Sequence, residues 1–328
     1  MGRISWEFMV KTPCTGGIDL KSAILLLGFN RTDYFQQVLS SLEKNNEAFN
    51  HDLHIYLDGG PKAKQQEIVA IVKSSKFENV TYVLRDSNWG IGRHLIDARR
   101  TLFDQLGYDR ILLLEDDMVL APTYVETVFS ISEWSSKYDD IGTVMAYNIN
   151  HNSADSQANQ IDQVISTNRH FWGYVITKKV WDEIKHIIYE FEQKYLLKYT
   201  YTNRPHRRIR WFFMRKWLSK GRLQKQNCLV PNDCVVAPFP NLPFRVATSQ
   251  DAITALALWH HGYSRITTRV SRAEYVGIEG YSFSPEVFES QGFDNQNLQD
   301  FSSFQRVEEY KFVDKDENGE SLTPRRYE

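Results

Sequence analysis

Apolar residues follow two rhythms along the first half of the chain. Short unbroken runs at Ser22–Gly28, 54–57, 80–84 and 110–114 have the length and continuity of buried parallel strands. Between them the apolar positions recur at helical spacing. Thr32 or Asp33 can cap a helix presenting Phe35, Val38, Leu39 and Leu42 on one face, and 65–72 and 91–106 repeat the pattern. Asp58-Gly59-Gly60-Pro61 is turn chemistry between the second strand and the next helix. Strand and helix in alternation predict βαβ units and an α/β, doubly wound, mainly parallel sheet. Ligands of such sheets gather at the carboxyl ends of strands. Here those ends are Gly28-Phe29-Asn30-Arg31, Asp58-Gly59-Gly60 and Glu115-Asp116-Asp117.

Beyond about residue 140 the pattern is mixed. A strand is expected at 141–147, a polar loop at 148–160, and a segment 170–176 leading into a helix over 178–195. The stretch 204–225 is basic, aromatic and free of acids, and 231–245 holds four prolines and reads as irregular loop. A helix is expected at 250–260, a strand at 264–270, and a glycine-containing loop at 277–284. From Asp314 onward the tail is polar and expected to be disordered. The division that follows is an extension at 1–20 and a ligand-binding half at 21–147. A smaller mixed half follows at 148–290, interrupted by an insertion at about 194–244, and a C-terminal extension at 291–328.

Composition narrows the picture. With 328 residues, 42% of them hydrophobic, the chain is long enough for a large core. Lys and Arg number 39 against 41 Asp and Glu, a net charge of −2 that disfavours nucleic acid as a general partner. Aromatics reach 13%, which suits carbohydrate or flat-ring ligands, although a ring-rich core is the ordinary alternative. Cys14, Cys228 and Cys234 match no zinc spacing and make a poor disulfide framework, so a reducing compartment is expected. Glu7 and Lys11 interrupt the apolar start, and no apolar run approaches the roughly 20 residues of a membrane span. The expected location is cytoplasmic, at most peripheral to a membrane.

Three adjacent carboxylates, Glu115, Asp116 and Asp117, directly after a buried strand repel one another unless a cation sits among them. Hard oxygen ligands suit Mg²⁺ or Mn²⁺, which bridge phosphate oxygens; the alternative is a solvated acidic turn. Arg31 at the first strand end can hold phosphate, Asp58 at the second can accept hydrogen bonds from a nucleoside, and His94 follows glycines that admit a ligand to the backbone. Singly these are a surface charge, a turn residue and a helix histidine; at successive strand ends they make a nucleotide pocket. Neither a Walker A motif nor Gly-x-Gly-x-x-Gly is present. In 204–225 there are nine Lys or Arg, and Ile209, Phe212, Phe213 and Trp217 share a helical face. That suits either an insertion packed on the domain with a basic rim, or contact with anionic lipid or a charged acceptor.

The order Gly28-Phe29-Asn30-Arg31, Asp58-Gly59-Gly60, His94, Glu115-Asp116-Asp117 resembles the donor half of GT-A glycosyltransferases, in particular the N-acetylglucosaminyltransferase I type. The acidic triplet followed by Leu120-Ala121-Pro122-Thr123-Tyr124 is its most specific part. Phe171-Trp172-Gly173-Tyr174 resembles the acceptor-side Gly-Trp segment, Ser249-Gln250-Asp251 the catalytic carboxylate on its short helix, and the stretch from Val270 to Ser282 the loop closing on the diphosphate. The likeness spans about 22–290 and loosens beyond 180. It implies an inverting transfer from a nucleoside diphosphate sugar, with UDP as nucleotide, N-acetylglucosamine as one candidate sugar, and a carbohydrate or lipid-linked carbohydrate acceptor. It implies Asp117 as ligand to Mn²⁺ or Mg²⁺, and Glu115 and Asp116 on sugar and ribose. Asp58 and His94 would hold the nucleoside, Arg31 and Ser282 the phosphates, and Trp172 and Gly173 the acceptor side. Asp251 is implied as the base; it is also a natural helix N-cap or first-turn residue, and Glu274 and Glu279 are rival carboxylates. A sugar nucleotidyltransferase would carry a glycine-rich basic loop after the first strand, which is absent here. The remaining alternative is a catalytically degenerate fold that only binds.

Overall fold

Strand β1 (Ser22–Gly28) is buried at every position. Its side chains alternate between two apolar layers, with Ala23, Leu25 and Leu27 in one and Ile24 and Leu26 in the other, as a period of two requires. This is why the run is continuously apolar: both faces of the strand are covered. The computed structural model describes residues 20–149, 152–168, 171–200, 203–218, 225–235, 249–278, 284–296, 298–316 and 318–323.

From β1 the chain continues through α1 (Thr32–Leu42), β2 (Asp52–Leu57), α2 (Lys62–Lys73), β3 (Val80–Leu84), α3 (Gly90–Arg100) and β4 (Arg110–Leu114). The four strands stand in the order β3-β2-β1-β4, all parallel. The helix expected over 91–106 is α3 followed by a π turn at Thr101–Gln105.

Next come β5 (Met118–Leu120), α4 (Tyr124–Ser135), β6 (Ile141–Met145), α5 (Ala154–Gln157), β7 (Gln163–Ser166), β8 (Tyr174–Thr177) and α6 (Lys178–Phe191). The chain then forms α7 (His206–Leu218), α8 (Gln250–His260), β9 (Ser264–Thr268), β10 (Ala273–Tyr275), α9 (Pro285–Ser290) and β11 (Lys311–Phe312). The sheet continues past β4 in mixed orientation as β8-β6-β9-β7-β11, so nine strands span both halves of the chain. A separate ribbon pairs β5 with β10 antiparallel, Met118 opposite Tyr275. One face of the sheet carries α3, α6, α7 and α8, and the other carries α1, α2 and α4.

Two expectations change, and for α7 one of the two readings left open describes the packing. The polar loop at 148–160 contains α5, capped by Ser153, whose Oγ accepts from the Ser156 amide. The tail from Asp314, expected to be disordered, turns back on itself: Asp316 accepts from the amides of Asn318 (2.9 Å) and Glu320 (2.8 Å), and Lys315 bridges to Ser321. Polar composition misled there because the turn is held by side-chain to backbone bonds, not by apolar burial. Finally, the apolar face of α7 points inward: Ile209, Phe212 and Phe213 are buried among α6 and α8 residues.

Candidate active site

Parallel pairing puts the carboxyl ends of β1, β2 and β4 side by side, Gly28 opposite Leu57 and Leu26 opposite Leu114. Arg31, just past β1, therefore reaches the carboxylates just past β4. Its Nη2 donates to Asp117 Oδ2 at 2.9 Å and to Asp116 Oδ1, and its Nε to Asp116 Oδ2 at 3.4 Å. Burial would weaken the guanidinium's hold on its proton, but Asp116 and Asp117 outweigh it and keep Arg31 charged.

One arginine does not neutralise this group. Burial pushes the pKa of Asp116 and Asp117 up, with Arg31 only partly offsetting it. Glu115 is held well above the usual carboxylate range, first by burial, then by the charges of Asp117, Asp251 and Asp116. Asp117 Oδ1 is buried with no hydrogen-bond partner. A buried, unpaired carboxylate oxygen in a cluster short of positive charge fits a hard divalent cation. Among the described residues no three His, Cys, Asp or Glu side chains form a ready metal cage.

Asp58, past β2, is buried and accepts at Oδ1 from the amides of Gly59 and Trp89, both at 2.8 Å. It thus ties the β2–α2 turn to the loop entering α3, and at Gly59 a Cβ would collide with the backbone of Ser87. His94 is 1% exposed on α3, and burial lowers its pKa so that the imidazole is neutral at pH 7. Asp58 is close enough to act on it electrostatically. Asp58 and His94 therefore stand together beside the strand ends, and each also has a structural occupation.

Asp251 lies in the first turn of α8. The cap is not Asp251 but Ser249, whose Oγ accepts from the Ala252 amide at 3.2 Å. This leaves Asp251 a first-turn residue favoured by the helix dipole, with Oδ1 accepting from the Gln250 amide group. Its charge is felt by Glu115 and by Tyr174 on β8, so α8 brings it to the acidic cluster from the opposite half of the chain. Glu274 sits on β10 opposite Val119, on the strand face away from buried Tyr275. Only burial raises its pKa, and no carboxylate of the cluster acts on it. Glu279 and Ser282 lie outside the described residues.

Trp172, expected on the acceptor side, is 8% exposed: Tyr275 covers one face and Tyr147 and Phe293 meet it edge-on. Its ring is packed into this aromatic cluster. Gly173 has φ +60°, a region that L side chains rarely adopt, and a Cβ there would strike the Tyr124 hydroxyl, which donates to the Gly173 carbonyl.

Sequence reading did not single out three arginines on and before α3. Arg85 and Arg93 flank the Trp89 ring at 4.0 and 3.7 Å. Arg99 is fully buried, donating to Tyr174 Oη and Thr254 Oγ1, each at 3.3 Å. Arg85 precedes α3, and Arg93 and Arg99 stand six residues apart on it; such spacing does not distinguish an inward arginine from a surface one.

No family model matches the sequence, and no curated protein matches it. Similar solved structures include a nucleotide-diphospho-sugar transferase of Desulfovibrio desulfuricans G20, at 13% identity and TM-score 0.32 over 49% of this chain and 65% of that one. A mannosyltransferase from Pyrobaculum calidifontis, solved with GDP-Man and Mn²⁺, shows 10% identity and TM-score 0.36 over 60% of this chain and 52% of that one. A cytidylyltransferase from Leptospira borgpetersenii shows 13% identity and TM-score 0.34 over 52% of this chain and 67% of that one. The chain thus spans about half to two-thirds of the length of these structures. Likenesses of this extent do not decide activity, and none of the three is an N-acetylglucosaminyltransferase of the first type.

Proposed function

We propose that this chain is a glycosyltransferase that moves a sugar, with inversion, from a nucleoside diphosphate sugar to a hydroxyl of a carbohydrate or lipid-linked carbohydrate acceptor. The observation that carries the reading is the convergence of Arg31, Asp116, Asp117 and Glu115 from two strand ends with Asp251 from α8. Such a cluster suits a donor whose charged diphosphate lies among the strand ends while its sugar faces a separate carboxylate.

In this reading Arg31 holds phosphate oxygens, and Asp58 and His94 hold the nucleoside, UDP being the expected nucleotide. Glu115 and Asp116 contact sugar and ribose. Asp117, with its unpaired Oδ1, would hold Mn²⁺ or Mg²⁺, which when bound supplies charge to stabilise the departing diphosphate. Asp251 accepts the acceptor hydroxyl's proton as that oxygen bonds to the anomeric carbon. The bond from the anomeric carbon to the diphosphate oxygen breaks, and the electron pair leaves with the nucleoside diphosphate.

The test is a panel of UDP-, GDP- and CMP-sugars with Mn²⁺ and mixed glycan acceptors, following free nucleotide and glycosylated product. One donor giving nucleoside diphosphate and a glycosylated acceptor in equal amounts is the expected result. Pyrophosphate release from a nucleoside triphosphate and a sugar 1-phosphate would instead make the chain a nucleotidyltransferase.

A further inference from the structure

Helix α7 has two apolar sides, and only one of them is used inside the protein. Ile209, Phe212 and Phe213 are buried, and Trp217 packs against the same core. The opposite side, at a rotation of about 100° per residue, carries Trp211 and Leu218, each 63% exposed, with Met214 between them. On this rotation Arg207 falls in the same stripe, with Arg208 and Arg215 along one flank and Arg210 on the other. Arg207, Arg208, Arg210 and Arg215 are exposed and make no ion pair among the described residues, whereas Lys216, on the inner side, pairs with Glu190 at 2.8 Å. A helix already anchored in the core has no folding reason to present tryptophan and leucine to water between unpaired arginines.

We infer that this outer side of α7 is a docking surface for an anionic lipid membrane, with Trp211 and Leu218 entering the headgroup boundary and the four arginines engaging lipid phosphates. Charge complementarity selects the occupant. The protein is negative overall at −2, yet nine Lys or Arg and no acid fall in 204–225. An indole and an aliphatic side chain within a guanidinium frame match the interface of a bilayer. A nucleic acid would use the cations but offers nothing for Leu218. Among the described residues no helix is long and apolar enough to cross a membrane, so the contact lies in the membrane plane. Because α7 packs against α8, the helix bearing Asp251, docking brings the second half of the chain toward the lipid surface. The inference stands independently of the proposed reaction.

The test is co-sedimentation of the whole chain with vesicles of phosphatidylcholine alone and with about a third phosphatidylglycerol, at rising salt. Expected is binding to the anionic vesicles only, weakened by salt. Arg208→Glu with Arg215→Glu should lower affinity by roughly a hundredfold or more, at about 1 kcal/mol for each basic residue near the surface. Trp211→Ser should weaken binding at every salt concentration, with circular dichroism unchanged because the residue is exposed. Equal binding to neutral vesicles, no binding, or retention of the wild-type affinity in both variants would overturn the inference. So would Trp211-dependent dimerisation in sedimentation velocity without vesicle binding, or retention on RNA in its place.

Discussion

The indole of Trp172 lies flat on the ring of Tyr275, with centroids 4.1 Å apart and planes 7° from parallel. This contact joins the loop before β8 to β10, and β10 pairs with β5 directly after the acidic cluster. The Val276 amide then donates to the Asp117 carbonyl at 2.9 Å. The stack therefore fixes the backbone that aims Asp117.

Replacing Trp172 by alanine should cost about 3–5 kcal/mol in urea unfolding, as for other large buried aromatics. Trp172→Phe keeps an aromatic face on Tyr275 and should lose distinctly less. If Trp172→Ala unfolds within about 1 kcal/mol of wild type, the ring does not hold this cluster and is free for an acceptor.

Arg31 is the counter-charge to Asp116 and Asp117. Arg31→Met leaves two buried carboxylates without it, a type of change that costs about 3–5 kcal/mol. Added Mn²⁺ should restore part of the lost thermal stability, because a ligand bound only by the folded state stabilises it. The rescue should vanish in Arg31→Met with Asp117→Asn. A melting temperature insensitive to Mn²⁺ in both proteins would remove the cation from Asp117. Wild type with Asp117→Ala should keep its fold and lose metal-dependent UDP binding in calorimetry.

Much of this architecture was legible in the sequence. The bounds of β1, β3, β4 and α8 coincide with the expected ones, because unbroken apolar runs leave the strands little choice and α8 is a continuous helical run. Short pairings were not legible. β5, β10 and β11 are two or three residues long, and their partners are remote in sequence, so no local pattern announces them. The candidate site divides in the same way. Strand-end residues Arg31 and Glu115–Asp117 follow from topology, since parallel strands must end together. That the charge of Asp251 acts on Glu115 depends on how α8 packs across the sheet, which spacing alone does not encode. Trp172 illustrates the converse: a motif named it for the acceptor side, and its packing against Tyr275, Tyr147 and Phe293 is not written in that motif.

Acid should weaken the docking of α7 and α8. His261 lies with its ring 5.2 Å from that of His186 and 5.1 Å from that of His260. His260 Nδ1 is 3.0 Å from the Lys216 carbonyl of α7. Burial, then the two neighbouring histidines, lower the His261 pKa to about 4, with Lys225 adding to the effect and Glu183 opposing it. The folded-state value lies below the unfolded value of about 6.5. Hence the unfolded chain takes up the proton first as pH falls, and stability is lost between about 6.5 and 4. Nearby, Lys216 and Glu190 form an ion pair at 2.8 Å. Buried carboxylates with raised pKa act in the opposite sense, so the diagnostic is a difference. His261→Gln should flatten the fall in urea midpoint between pH 7.5 and 4.5 relative to wild type. Parallel curves would show that His261 does not carry it.

Asp251 is the residue on which the proposed chemistry turns. Its carboxylate stands in the first turn of α8, is not the helix cap, and lies near enough to Glu115 for the two charges to interact. Asp251→Asn preserves size and most hydrogen bonding but cannot take the acceptor's proton. Turnover should drop by about a hundredfold or more, within the 10²–10⁴ of general-base catalysis. Donor and metal affinities should hardly change, because Arg31, Asp58 and Asp117 stand just past strand ends and His94 on α3, all apart from α8. Stability should also hold, since Ser249 still caps the helix. Proton NMR of the wild-type product's anomeric centre should report inversion. Near-normal turnover in Asp251→Asn, or retained configuration, would move the role to another carboxylate. Glu274 is the poorer successor on geometry, because it stands on the outer face of β10, away from the cluster.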